Sequence, residues 1–556
     1  MVRLLRCEPG SHKVGAAINA RTGEPMVHFA RLIRTAAVAS VALALVPTTA
    51  WTEAGPKTLR FIPQADLRSI DPIWTTAYVT RNFGYLVFDT LFSLDKDFKP
   101  QPQMVDRWTA SDDKLTYNFI LRDGLKWHDG QPVRAADCVA SLERWGKRDT
   151  LGQKLMEAIG RMQAVDNKTV TISLKSPFPL ILDALGKLSS NVPFMMPERL
   201  AKTDAYQQIP EAIGSGPFKF VKEEWEPGHK AVFVKNADYV PREEAPSFAA
   251  GGKVAKVDRV EWLYIPDTAT AAAALNAGEA DWYEQPPADL VQVFAANKDI
   301  VVTTVDPLGN HGILRFNHIQ PPFNNVKLRQ AVLNLVNQKD YMGAAAGDPK
   351  YWKTCAALFG CGTPFETNAG AEALLNGPNP AEAKPLIDGA GYKGEKIVLL
   401  SATDQPIVHG QALVTLDALR KAGLNVELQA SDWGTLITRR TSKEAVEKNG
   451  WSIFHTWTSA PDFFSPAVNI LVRGSGEKGW FGWPTDDKIE ALIDAWFKAP
   501  DLMTQKKLAA DIQVEAYTNN VPYVPTGQFV VPTAYRKNLD GIIIAPVVFL
   551  WNVEKK

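Results

Sequence analysis

The side chains that could do chemistry in this sequence are hydroxyls, rings and charged groups near the ends of predicted strands, a pattern suited to holding a polar solute. Thr75, Thr76 and Tyr78 follow a first strand, Ser215 sits in a Gly-Ser-Gly turn, and His311 precedes the strand 313–317. Thr403 and Asp404 follow the strand 397–400, and Arg473 lies further downstream. Arg473 can grip a ligand carboxylate through two parallel N–H groups, or simply hold a surface acid. Bond-breaking chemistry needs tighter constellations: the sequence has no HExxH, no GxSxG elbow, no P-loop and no GxGxxG following a strand. Its eight histidines are scattered, with no pair at metal-ligand spacing. Gly474-Ser475-Gly476 looks like a nucleophile turn, but its polar flanks bring no strand into it. The residues point away from an enzyme and away from a bound metal or other cofactor.

The elements that must position these groups are legible in patches. In 106–145, Leu115, Tyr117, Phe119 and Leu121 alternate with Thr116, Asn118, Ile120 and Arg122, the period-2 pattern of a largely buried strand. Asp123-Gly124 turns the chain, Leu125-Lys126-Trp127 reads as a second short strand, and 134–145 as a helix with Val139, Leu142 and Trp145 on one face. Further on, 397–400 is an apolar strand, 407–421 an amphipathic helix with Leu413, Leu416 and Leu419 at helical spacing, and Gly423 its stop. Leu424, Val426 and Leu428 then alternate as a second strand. That βαβ order requires a parallel pair with a right-handed crossover. Asn325 caps a helix carrying Val326, Leu328, Val332, Leu335 and Val336.

At 556 residues the chain exceeds the roughly 250–300 at which one hydrophobic core stops growing, so at least two domains are expected. Charges balance at 61 basic and 61 acidic residues, which gives no electrostatic case for nucleic acid as a partner. Arg31 and Arg34, the eleven-residue apolar run 36–46 and Pro47-Thr48-Thr49-Ala50 follow the order of a secretory signal. A spanning helix needs about 20 residues, so residues 1–50 read as leader and cleaved signal, with cleavage after Ala50 or, second, Ala54. Met26 is a candidate true start. The mature chain is expected to be soluble outside the cytoplasm. Of four cysteines, Cys7 falls in the leader, Cys138 is expected as a buried thiol, and Cys355 and Cys361 sit in a Gly-rich loop. A local Cys355–Cys361 disulfide fits that compartment; two free thiols are the alternative.

The segment 115–144, LxYxFxLRDGxKWHDGxPxxAxDxxxSxER, resembles the signature of the family 5 extracellular solute-binding proteins, the dipeptide- and oligopeptide-binding components of ABC importers. Gly214-Ser215-Gly216-Pro217-Phe218, Asn236-Ala237-Asp238-Tyr239, the stretch from Phe316-Asn317 to Gln330-Ala331, and Gly389-Ala390-Gly391-Tyr392 extend the match in the same order. The resemblance implies a two-lobed α/β periplasmic-binding-protein fold, type II, of the large cluster with an extra domain, its ligand cleft between the lobes. Boundaries are expected at 56–92, 191–290 and 515–556 for a discontinuous lobe I, 93–190 for the extra domain and 291–514 for lobe II. It also implies a monomer that hands its ligand to a membrane permease with a cytoplasmic ATPase. By the same resemblance, Trp433 and Trp457 line side-chain pockets. Family members place an Asp three positions after the second Trp to pair with the ligand's α-ammonium. Here that position is Ala460 and the nearest acid is Asp462. Either the loop is re-spaced so that Asp462 does this, or a free amino terminus is not recognised. Trp127 and His128 are expected as scaffold. The function expected is capture of a peptide or peptide-like solute; a non-peptide solute such as an opine or sugar conjugate, or a secreted hydrolase or chaperone-like protein using the same cleft, are the alternatives.

Overall fold

The alternation around Tyr117 builds a four-stranded antiparallel sheet, ordered Val105–Ala110, Thr116–Leu121, Thr169–Leu174, Ile159–Ala164, in the computed structural model, which describes residues 57–306 and 308–556. Tyr117, Phe119 and Leu121 are buried, and the residues between them are half-buried. The helix Ala135–Trp145 packs across this sheet. Asp137 fixes its start, accepting from the Arg134 backbone N–H at 2.8 Å and from the Trp127 indole N–H at 3.3 Å. Residues 125–127 form no full strand, only a bridge between Lys126 and Pro132, because the turn at Gly130 closes too soon for a ladder. His128 donates its backbone N–H to the Gly214 carbonyl at 2.8 Å, and its ring lies 3.1 Å from the Gly216 carbonyl. Trp127 and His128 therefore serve the scaffold.

Two larger sheets flank the cleft. The first has seven strands in the order Phe218–Phe220, Lys230–Lys235, Arg259–Leu263, Thr58–Ile62, Trp282–Tyr283, Thr533–Arg536, Ile300–Thr303. The second has six: Trp352–Lys353, Tyr523–Phe529, Asn310–Phe316, Ile453–Ser459, Ile397–Ala402, Val426–Ser431. Ile397–Ala402 and Val426–Ser431 are parallel and joined by the helix Pro406–Lys421, as the βαβ reading requires. Gly423 takes φ +82° beyond that helix, a backbone that side chains disfavour.

Two strands correct the expected boundaries. Ile300–Thr303 pairs with Thr533–Arg536 in the first sheet, not the second, and Tyr523–Phe529 pairs with Asn310–Phe316 in the second, not the first. The chain thus passes from the first sheet, left after Thr303, to the second, entered at Asn310, and returns at 530–532. On the helix Pro406–Lys421, Leu419 is buried and Leu416 packs half-buried on the core as expected, but Leu413 is exposed and Gln411, Ala412 and Thr415 share the buried face.

The extra sheet is tied to the first lobe by a buried ion pair. Arg144 donates to Asp71 at 2.6 Å and to the carbonyls of Thr203, Asp204 and Gln207, with both charged side chains at most 1 % exposed. Removing one partner of such a pair costs about 3–5 kcal/mol because the other charge is left buried alone. Cys355 and Cys361 are joined as a disulfide with Cα atoms 5.8 Å apart, and Cys138 is a buried thiol whose pKa burial raises. The leader readings, with Cys7, Met26 and cleavage after Ala50, fall outside the described residues. No helix among the described residues is long and apolar enough to cross a membrane.

Candidate ligand-binding site

The loop after Ile453–Ser459 runs into a short turn, Ala460–Asp462, that buries the Asp462 carboxylate. Its Oδ2 accepts from the Tyr78 hydroxyl at 2.8 Å, from Ser189 Oγ at 2.7 Å and from Ser459 Oγ at 3.3 Å. Oδ1 is buried with no hydrogen-bond partner. Tyr78 opens the helix Tyr78–Val87 of the first lobe, so its bond to Asp462 crosses the cleft. The Ser459 backbone N–H donates to the same hydroxyl at 2.8 Å, and Thr458 Oγ1 lies 3.1 Å from it. Burial, then the Asp462 charge, drives the Tyr78 pKa well up, so the phenol stays protonated and remains a donor. Arg81, one turn on, sits 4.3 Å over the Tyr78 ring and donates to Ser189 Oγ at 2.5 Å. The Asp462 charge is thus answered by a guanidinium through one hydroxyl.

Trp457 stacks on Tyr78 with ring centroids 4.9 Å apart. Trp433 begins the helix Trp433–Arg439, whose cap Asp432 accepts from the Thr435 N–H at 3.0 Å. Its own N–H donates to Asp404 Oδ1 at 2.7 Å, which fixes the ring at the end of the parallel strand pair. Tyr78, Trp433, Trp457, Asp462, Arg440 and Trp480 wall a cavity of about 50 Å³ between the lobes. A second cavity of about 330 Å³ adjoins it and shares Gln64 and Gln405, whose side-chain amide donates to the Gln64 carbonyl at 2.5 Å. Tyr264 and Tyr283 of the first lobe and Asp404 and Phe529 of the second line it, and Tyr264 donates to Asp404 Oδ2 at 2.6 Å.

A family model, bacterial extracellular solute-binding proteins, family 5, matches residues 99–480. The chain belongs to this family. A relative named "Probable peptide ABC transporter periplasmic-binding protein" from Sinorhizobium fredii is 41 % identical over 505 residues, covering 90 % of this chain and 94 % of that one. Among solved structures, the PBP AgaA of A. tumefaciens R10 in complex with agropinic acid superposes with TM-score 0.75 at 21 % identity, covering 90 % of this chain and 99 % of that one. A dipeptide binding protein from Pseudoalteromonas sp. SM9913 in complex with Met-Leu gives TM-score 0.73 at 20 % identity, covering 90 % and 100 %. These two likenesses are likenesses of fold.

Within this solute-binding scaffold the candidates separate. Trp433, Trp457, Asp462, Tyr78 and Thr76 share the first cavity, where Thr76 Oγ1 accepts from the Trp480 indole at 3.3 Å. Asp404 reaches the second. Five others line neither of these two cavities. Thr75 Oγ1 accepts from the Ala77 N–H at 3.2 Å, a local turn. Ser215 is buried in a turn pressed on the Val87 carbonyl. His311 packs on Phe463 and lies 3.5 Å from the Cys355 carbonyl, its pKa pushed down to about 4 by burial. Thr403 is bonded to the Ser431 carbonyl. Arg473 pairs with Glu490, through Nε at 2.8 Å and Nη2, so its guanidinium is already taken by an acid. Sequence reasoning missed Arg81, Ser189, Gln64, Gln405 and Arg440. Arg440 had a usable signal, lying seven residues after Trp433 and so on the same helical face.

Proposed function

We propose that this chain is the substrate-binding component of an ABC importer. It captures a peptide or peptide-like small solute between its lobes, outside the cytoplasm, and delivers it as a monomer to a membrane permease driven by a cytoplasmic ATPase. The leader is cleaved after Ala50. The observation that carries the reading is Asp462: it lines an interlobe cavity between two tryptophans, and its Oδ1 has no partner. A ligand α-ammonium supplies the donor that this oxygen lacks, and enclosure strengthens a charge-assisted bond of that kind. The 41 % identical Sinorhizobium relative, named for peptide transport, supports the same ligand class.

The first test is mass spectrometry of solutes released when the secreted protein is denatured, followed by calorimetric titration with short peptides. Short peptides should be released. Asp462→Asn keeps an acceptor for Tyr78 but removes the charge, and should weaken binding by about 2 kcal/mol or more, roughly thirtyfold. N-acetylated peptides should fail on the wild type. A single non-peptide solute, or acetylated peptides binding as well as free ones, would overturn the peptide reading. It would favour the opine or sugar-conjugate alternative, for which Ala460 in the usual ammonium-binding position is the motivating observation. Turnover of a ligand to a new product would favour the hydrolase.

A further inference from the structure

The extra sheet shares no strand with either large sheet, yet it is bonded firmly to the first lobe. Besides the Arg144–Asp71 pair, Arg122 donates to the Val240 carbonyl at 3.1 Å, Arg242 to the Val105 carbonyl at 3.0 Å and Arg148 to the Trp74 carbonyl at 2.8 Å. It therefore travels with that lobe. Three side chains around it nevertheless reach the second lobe. Lys154, on the helix Thr150–Ala158, pairs with Asp494 at 2.6 Å. Phe178, 7 % exposed and just beyond the strand Thr169–Leu174, stacks on Phe497 with centroids 5.9 Å apart. Phe98, at the tip of the hairpin Phe92–Leu94 and Pro100–Pro102, meets Phe464 at 6.1 Å. The tip is shaped by Asp95, which accepts from the Asp97 and Lys99 N–H groups at 2.9 and 3.0 Å.

The three partners are fixed parts of the second lobe. Asp494 and Phe497 stand three residues apart on the helix Asp487–Phe497 and so on one face of it. Arg473 and the Gly474 N–H both bond Glu490 of that helix at 2.8 Å, and the neighbouring Leu471 carbonyl accepts from Arg315 of the strand Asn310–Phe316 at 2.8 Å. Phe464 follows Asp462 by two residues. None of the six lines either interlobe cavity described above.

Since the extra sheet moves with the first lobe, opening the cleft must part these contacts, wetting two pairs of ring faces and separating the ion pair. The rings carry most of the effect, because Asp494 is 46 % exposed and its bond to Lys154 is screened by solvent. A contact made only in the closed form raises the closed fraction. A ligand that binds only that form is tightened in proportion, since its apparent dissociation constant is the intrinsic one divided by that fraction.

We propose that the extra domain is a clasp of the closed form: Phe98, Lys154 and Phe178 grip Phe464, Asp494 and Phe497, and ligand affinity is set in part by side chains that never touch the ligand. The inference rests on the reading that the two lobes close on a solute.

The test uses four forms of the secreted protein: wild type, Lys154→Ala with Phe178→Ala, Asp494→Ala with Phe497→Ala, and all four substitutions together. Calorimetric titration with Ala-Ala reads affinity, and small-angle scattering reads the radius of gyration without ligand. Each paired variant should weaken Ala-Ala binding about tenfold and expand the unliganded protein, and the fourfold variant should be no worse than either pair, because both pairs remove the same contacts. Unchanged affinity, or losses that add in the fourfold variant, would overturn the clasp. Phe497 is half-buried at a helix end, so its pair carries the test where Phe178→Ala fails to fold. If Ala-Ala does not bind the wild type, that failure belongs to the peptide reading and scattering alone decides the clasp: expansion in the variants keeps it, and equal radii overturn it.

Discussion

Glu284 is a buried acid in the wall of a third small cavity, beside Arg81 and Asp306. It accepts from the Gln64 N–H at 2.7 Å and the Asn82 amide at 3.2 Å, but burial dominates and pushes its pKa up to about 7. An unfolded glutamate ionises near 4.5, so between about pH 4.5 and 7 the folded chain keeps a proton that the unfolded chain has lost. The contribution of this group is complete below pH 4.5 and fades as pH rises through 7. Between pH 5 and 8 the wild-type Tm should therefore fall more steeply than that of Glu284→Gln, as read by differential scanning calorimetry; parallel slopes would refute it. Asp306, pushed up to about 6, acts in the same direction and stays in both proteins. At this scale the site was half legible. Trp433, Trp457 and Asp462 came through a family pattern, and Tyr78 through its place after a strand. Arg440 and Glu284 did not, because a charged residue reads as exposed until the rings or backbone that bury it are known. Position along the chain says nothing of which neighbour claims a side chain, and the structure gives His311 to Phe463 and Arg473 to Glu490.

The Gly214-Ser215-Gly216 turn explains one motif at the level of elements. A Cβ on Gly214 would stand 1.9 Å from the Val87 carbonyl oxygen, and one on Gly216 2.7 Å from that of Leu86. The turn is pressed between the end of the Tyr78–Val87 helix and the hairpin that carries His128, so it holds the helix that presents Tyr78. Gly214→Ala should destabilise the protein by about 2–3 kcal/mol, the cost of forcing atoms into a packed interior, and weaken ligand binding with it. Ser215→Ala should leave binding unchanged in the same calorimeter. Helices and strands were legible where apolar period and caps agreed, as in Thr116–Leu121 and Val326–Leu333. The helix Pro406–Lys421 was found, with Leu419 buried and Leu416 packed on the core, but its inward face is centred off Leu413, which is exposed. Its buried side is built on polar bonds, Thr526 to Gln411 at 2.7 Å and Thr415 to both His455 and Tyr341 at 2.7 Å, which a hydrophobic pattern cannot see.

For the whole molecule, the two lobes are held shut by side chains that reach across: Tyr78 to Asp462, Gln405 to Gln64, Tyr264 to Asp404 and Trp480 to Thr76. Opening about the connections between the two sheets must break these bonds, and a ligand that binds the closed form shifts the balance towards it. Saturating ligand should lower the radius of gyration in small-angle scattering. At 100 times its dissociation constant it should add about 2.7 kcal/mol of stability. A ligand that raises Tm without compaction would argue against hinge closure. Chain length and the βαβ signal made two lobes legible, yet not which sheet took Ile300–Thr303 or Tyr523–Phe529, since a strand's sequence carries its period and not its partner. Those same two strands bear on the order in which the molecule can come into being. Tyr523–Phe529 pairs beside Asn310–Phe316, and Thr533–Arg536 sits between Trp282–Tyr283 and Ile300–Thr303, so both sheets wait for the last few dozen residues. A nascent chain emerging amino end first has every earlier strand in hand, and neither of these two sheets is complete until those last strands are made.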